Sequence, residues 1–182
     1  LGESIDIEQV KAMVDRFLAA GFTYFDTAWA YPGSEDAIRQ ALVERYPREA
    51  FQLATKNAAW IQCESRDDAI RQFETSLEQS GAGYFDFYLL HNLGASRTRV
   101  FDDFNMWQFV QEKKQQGLIR HVGFSAHATA EELEAILSAH SEAELVQLQI
   151  NYADGANPAV QARACYEVAR RHSKPIIVME PV

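Results

Sequence analysis

The feature that most constrains this chain is a regular alternation of short apolar runs, which read as β-strands, with segments of helical periodicity. Val10, Met13, Val14, Phe17 and Leu18 fall at i, i+3, i+4, i+7 and i+8, the spacing of one helical face. Asp6 followed by Gln9 supplies a cap-like start, and Gly21 lies just past the end. Thr23 to Asp26 then reads as a short strand. Ile38, Ala41 and Leu42 mark a second helix, and Phe51 to Thr55 a second strand. Ser65 and Asp68 open a helix carrying Ile70, Phe73 and Leu77, followed by the aromatic run from Tyr84 to Leu90. The pattern predicts a helix near Phe104 to Gln116, which leads through Gly117 to a strand at His121 to Phe124. Thr129 and Glu132 form a capping box ahead of Leu133, Ile136 and Leu137. A strand from Leu145 to Ile150, a helix starting near Asn157-Pro158 and a strand from Pro175 to Met179 close the series.

This reading gives six strands and six helices, with strand ends near positions 26, 55, 90, 124, 150 and 179. A step of roughly 30 residues is one βαβ unit, and strands this apolar suit a parallel sheet covered by helices. No GxGxxG turn follows a strand, which weighs against a doubly wound nucleotide-binding sheet. Even spacing with polar residues gathered at strand C-termini favours a (β/α)8 TIM barrel, whose chemistry sits on that rim. The expectation is one barrel domain over residues 1–182, incomplete, with about six βα units. The chain begins with Leu1 rather than Met and stops at Val182 directly after a strand, so it reads as a segment of a longer protein.

Composition narrows the partners. The formal net charge of -9 repels nucleic acid and anionic membranes, which makes a small molecule the expected substrate. No apolar run approaches the ~20 residues of a membrane span, and no signal peptide precedes the first helix. Cys63 and Cys165 lack CxxC spacing and read as reduced thiols of a cytoplasmic protein.

The strand ends carry an unusual set of polar residues. Asp26 ends the first strand, Tyr31 follows in the loop, Lys56 ends the second and His91 the third. Ser125 and His127 follow the fourth, and Gln147, Gln149 and Asn151 alternate along the fifth. A lysine or histidine placed directly after an apolar run is hard to explain by packing, and four such residues on one rim point to chemistry. A phenol is a poor acid at neutral pH, with an ordinary pKa near ~10. An adjacent ammonium favours the phenolate, so Lys56 is expected to lower the pKa of Tyr31, with Asp26 holding Lys56 charged. His91 can hydrogen-bond the oxygen that Tyr31 protonates. The set suits carbonyl reduction, and because no side chain supplies hydride, a nicotinamide cofactor is required.

At these residues the chain resembles the aldo-keto reductase family. Phe25-Asp26-Thr27-Ala28-Trp29-Ala30-Tyr31 is similar to the family signature, Ala54-Thr55-Lys56 to its lysine segment and Leu89-Leu90-His91 to its histidine segment. The match continues through Gly123-Phe124-Ser125 and Gln147-Leu148-Gln149-Ile150-Asn151, covering nearly the whole chain. The resemblance implies metal-free interconversion of carbonyls and alcohols with NADPH, the preference for NADP over NAD being a family inference. It further implies that Ser125 and Gln147 hold the nicotinamide carboxamide and that Met179 lies under the ring, where many members place an aromatic. Ala126 replaces a common asparagine. Trp29 and Trp60 fall where members place substrate-pocket aromatics. A microbial branch that the chain looks most like often carries a C-terminal ferredoxin-like domain with iron–sulfur clusters. No cluster motif lies in these residues, so none is inferred here. The family's first strand would precede Leu1, and its eighth strand and phosphate loops would follow Val182.

Two other readings compete. A metal-dependent barrel hydrolase would use Asp26, His91 and His127 as ligands, but no HxH pair is present and Lys56 would set a positive charge beside the metal. A non-catalytic aldo-keto reductase-like binding subunit is the other, and the intact tetrad argues against it. Phe101, Phe104 and Trp107 read as a core stripe, His121, His140 and His172 as structural, and Lys113-Lys114 as a solvated helix face.

Overall fold

The computed structural model describes residues 5–155 and 157–181. Helix α1 (Ile7–Ala19) is capped by Asp6, whose Oδ1 accepts the backbone N–H groups of Glu8 and Gln9, each at 3.1 Å. Strand β1 (Tyr24–Asp26) is followed by the short α2 (Ser34–Ile38), which continues as a π-helical turn over Arg39–Val43. Then come β2 (Gln52–Asn57), α3 (Arg66–Ser80) and β3 (Phe85–Leu93). The expected capping box of Thr129 with Glu132 opens a later helix, and Ser65 with Asp68, read as a helix start, forms a second one at α3.

The stretch read as one helix near Phe104 to Gln116 is two helices, α4 (Arg97–Asp103) and α5 (Met106–Gln115). Asn105 between them takes a left-handed conformation, φ 51°, which asparagine tolerates better than most residues. Phe101 and Trp107 are buried on either side of the break and Phe104 partly so, and the apolar stripe therefore runs through it. Strand β4 (Ile119–Ala126), α6 (Ala130–Ala139), β5 (Leu145–Gln149), α7 (Ala162–Arg171) and β6 (Ile176–Met179) complete the order. Helix α7 starts later than Asn157-Pro158. Asn157 instead closes a turn, its Oδ1 accepting from Ala159 N at 2.9 Å and its Nδ2 donating to Asp154 at 3.2 Å.

The six strands form one parallel sheet in sequence order, β1-β2-β3-β4-β5-β6. One contact shows that this sheet is curled. Gln147 on β5 donates to Asp26 on β1 at 3.0 Å, although four strand spacings of about 4.8 Å would separate the two strands by about 19 Å in a flat sheet. The strands are the staves of an open barrel, with helices packed on the outside. Phe73 of α3 meets Phe85 and Tyr88 of β3 and Phe109 of α5, with ring centroids 6.1, 5.0 and 5.5 Å away. At the N-terminal end, buried Asp86 is held by Arg48 at 2.7 Å, by Arg120 at 2.8 Å and by the Leu53 backbone N–H at 2.9 Å. That is the end away from the rim residues, and the cluster reads as stability. Asp26, Lys56 and His91 lie toward the other rim, the end at which barrels of this kind carry their chemistry.

Candidate active site

Lys56 lies inside β2, one residue before its end, and its side chain is only 2% exposed. A buried ammonium needs partners. Lys56 Nζ is ion-paired with Asp26 Oδ1 and donates to the Thr27 backbone oxygen at 2.8 Å. The other carboxylate oxygen of Asp26 accepts from the Tyr24 hydroxyl at 2.8 Å and from Gln147 Nε2 at 3.0 Å. Burial lowers the Lys56 pKa, and the charge and hydrogen bond of Asp26 oppose that fall.

Tyr31 stands over this pair, its side chain at the mouth and 44% exposed, with Lys56 Nζ 5.3 Å from its ring centre. Its ring meets that of His91 edge-on, 5.6 Å between centroids. The expected lowering of the Tyr31 pKa by Lys56 is not found. Burial, together with the carboxylates of Asp26 and Glu180, raises it. A proton is thereby retained on the phenol.

His91 falls within β3 rather than after it, at a register irregularity between Leu90 and Leu93. Burial, then the charge of Lys56, pushes its pKa down to about 4, so the imidazole is neutral near pH 7. Trp60 Nε1 donates to the His91 backbone oxygen at 2.8 Å, and the two rings lie 6.2 Å apart. Asp26, Tyr31, Lys56, His91 and Trp60 thus share one locus. Trp29 lines a separate depression with Gln62, Cys63, Arg71 and Gln72. Its backbone N–H reaches the Lys56 oxygen at 3.2 Å.

Ser125 and Gln147 are buried on neighbouring strands, in register with each other. Ser125 Oγ accepts from the Asn92 backbone N–H at 2.8 Å, and its own O–H remains available to donate. Gln147 spends its amide N–H on Asp26, while its Oε1 and the Asn92 Oδ1 are buried with no partner among the described residues. One hydroxyl donor and two orphaned acceptors fit a primary carboxamide such as that of nicotinamide. Met179, half-buried on β6, pairs in register with Gln149.

Tyr24 and Glu35 escaped the sequence reading. Tyr24 shares a strand face with Asp26 two residues on, a period-2 signal that the short β-run did contain. Glu35 is buried four residues after Tyr31, its carboxylate accepting from the Thr55 hydroxyl at 2.6 Å. It ties the helix behind the Tyr31 turn to the strand residue preceding Lys56, and its pKa is raised by burial.

The remaining candidates fall elsewhere. Gln149 and Asn151 both donate to Asp154 at 2.8 Å in the loop after β5. His127 faces Glu180 at 3.6 Å. Among the described residues no three His, Cys, Asp or Glu side chains converge to hold a metal, so Asp26, His91 and His127 do not make a ligand trio. His121 stacks on Phe87, His140 on Trp107, and His172 bonds Glu134, all away from the rim. Lys114 pairs with Glu144 at 2.6 Å on the outer surface.

The open rim of a curled parallel sheet thus carries a buried Lys–Asp pair beneath a tyrosine and a neutral histidine. The aldo/keto reductase family model matches residues 1–182, and the chain belongs to that family. It is similar to the aldo-keto reductase AKR2E4 of Bombyx mori, 27% identical over 169 residues covering 87% of this chain and 53% of that protein. An aldo-keto reductase of Mycolicibacterium smegmatis is 33% identical over 139 residues, 76% of this chain and 46% of the relative. The chain therefore spans about half the length of these relatives. Among solved structures, the Bombyx mori enzyme in complex with NADP superposes with TM-score 0.73 at 24% identity, covering 98% of this chain and 58% of the other. An aldo-keto reductase from Klebsiella pneumoniae in complex with NADPH gives TM-score 0.73 at 22% identity, with 96% and 58% coverage. These likenesses establish the barrel fold. No helix among the described residues is long and apolar enough to cross a membrane.

Proposed function

We propose that the protein carrying this chain reduces the carbonyl group of a small molecule with NADPH, and that Tyr31 is the general acid. The observation that carries this reading is the buried Asp26–Lys56 pair directly beneath the Tyr31 ring, with neutral His91 packed against that ring. The carboxamide-like set at Ser125, Gln147 and Asn92 supports a nicotinamide cofactor, and two of the solved relatives hold NADP or NADPH.

A bound reduced nicotinamide would supply the hydride for the carbonyl carbon. The chain's own residues handle the oxygen. Tyr31 O–H transfers its proton to the oxygen as negative charge builds there, and Lys56 below the ring stabilises the phenolate left behind. His91, uncharged, orients the carbonyl by hydrogen bond without competing as an acid. Asp26 keeps Lys56 charged and fixed, while Trp60 holds the His91 backbone and walls the pocket. Met179 and Gln147 would bear on the ring and its amide. The small-molecule partner requires neither nucleic acid nor membrane.

The test is NADPH oxidation by the full-length protein with generic aldehydes. Turnover is expected, and Tyr31→Phe should lower kcat by at least ~10²-fold, the range of a positioned general acid. NADPH binding without turnover would favour a non-catalytic subunit, and near-wild-type kcat in Tyr31→Phe would remove the tyrosine from this role.

A further inference from the structure

Resting on carbonyl reduction at this site, we propose that Arg97 selects the substrate: its guanidinium binds the carboxylate of an oxo acid or aldehyde acid whose carbonyl lies at His91 and Tyr31. Arg97 opens α4, immediately after the loop that follows β3. Its Nε donates to the Asn92 backbone oxygen at 2.7 Å, which tethers the head group beside the strand end that carries His91. The guanidinium carbon lies 5.8 Å from the centre of the Trp60 ring, and Trp60 itself donates to the His91 oxygen. Arg97, Trp60 and His91 therefore line one side of the mouth, and the charge of Arg97 is felt at the imidazole.

What remains is an uncommitted cation. Neither terminal nitrogen of Arg97 has a hydrogen-bond or ion-pair partner among the described residues, Nε to the Asn92 oxygen being its bond. Glu132 feels the charge of Arg97, but its Oε1 takes the Ala95 N–H at 2.9 Å and its Oε2 the Thr129 N–H at 2.8 Å. The other cation of the site, Lys56, is consumed by Asp26 and the Thr27 oxygen. An anionic group entering the pocket therefore meets Arg97 rather than the proton-transfer machinery, which leaves the carbonyl end free to reach Tyr31. With Nε anchored, the two Nη groups present the fork that suits a carboxylate, a geometry that lysine cannot reproduce.

The experiment compares succinic semialdehyde with its neutral methyl ester as substrates of the full-length protein with NADPH. The wild type should prefer the acid in kcat/KM, and this preference should shrink as salt is raised. In Arg97→Gln the acid-to-ester ratio should fall by about 30-fold, within the range for one charged hydrogen-bonding partner, with Arg97→Lys intermediate. Succinate, which cannot be reduced, should quench tryptophan fluorescence saturably in the wild type and at least ~10-fold more weakly in Arg97→Gln. An unchanged ratio, or a loss confined to NADPH binding, overturns the assignment. If neither aldehyde is reduced, the carbonyl-reduction reading falls, and succinate binding alone still decides for or against Arg97.

Discussion

Asp26 accepts hydrogen bonds from side chains of three strands: Tyr24 on its own strand, Lys56 on the neighbouring one and Gln147 across the barrel. Lys56 is nearly inaccessible, so removing Asp26 would leave an uncompensated buried ammonium, and removing Lys56 would leave the carboxylate facing only neutral donors. The two should behave as one unit. Asp26→Asn and Lys56→Met should each lower kcat severely, and the double variant should lose far less than the product of the single losses. Multiplicative losses in steady-state kinetics would show independent roles. His91 leads to a second expectation. Its pKa in the fold is about 4 against an ordinary 6.5, so as pH falls from 6.5 to 4 the unfolded chain takes up a proton that the folded one refuses. Stability is unaffected by this residue above pH 6.5 and falls through that window, by on the order of 3 kcal/mol at 1.36 kcal/mol per pKa unit. His91→Gln, which cannot titrate, should flatten the loss between pH 6.5 and 4 in urea unfolding. At this scale the tetrad was legible because polar residues directly after apolar runs are locally odd. Arg97 and Glu35 were not, since an arginine or a glutamate opening a helix is ordinary until its neighbours are known.

Strand β4 depends on one residue for its approach to β5. A Cβ added at Gly123 would meet the Leu145 backbone oxygen at 2.4 Å, and backbone cannot swing aside as a side chain can. Gly123→Ala should therefore cost roughly 1–3 kcal/mol, the range of an overpacked core, and lower the urea midpoint of the full-length protein. It should also weaken NADPH binding, because Ser125 lies two residues further along the same strand. An unchanged midpoint would show that the strands part without cost. The element pattern itself was readable: helix starts were marked by Asp6, Ser65 and Thr129, and strand positions by apolar runs. The break at Asn105 was hidden because Phe101, Phe104 and Trp107 keep helical spacing across it, and hydrophobic periodicity reports faces rather than continuity.

Among the described residues, the outermost strands of the sheet, β1 and β6, each have a single neighbour. Apolar surface lies near both edges: Phe22 is 59% exposed just before β1, and Val178 on β6 is 49% exposed. A barrel satisfies such edges by closure, and an open parallel edge offers unpaired backbone groups to another chain. Residues 1–182 expressed by themselves should therefore self-associate and bind NADPH poorly. Size-exclusion chromatography with an NADPH titration checks this, and a monodisperse monomer with micromolar affinity would contradict it. The solved relatives that share this fold are longer, with the chain covering 58% of each of the two described above.

The sequence by itself determined the parallel α/β alternation, the helix starts and the polar residues Asp26, Lys56 and His91 toward strand ends, with Tyr31 in the loop after the first. All of these are written in local spacing, within one helical turn or one strand, and local spacing survives without knowledge of the fold. The tertiary structure decided what depends on distance through space. Curling of the sheet brings Gln147, 121 positions away in sequence, onto Asp26. Burial and neighbouring carboxylates raise the Tyr31 pKa where adjacency to lysine alone predicted a fall. The neutrality of His91 and the uncommitted charge of Arg97 arise in the same way, because desolvation and charge act between groups that the fold, not the chain order, places together.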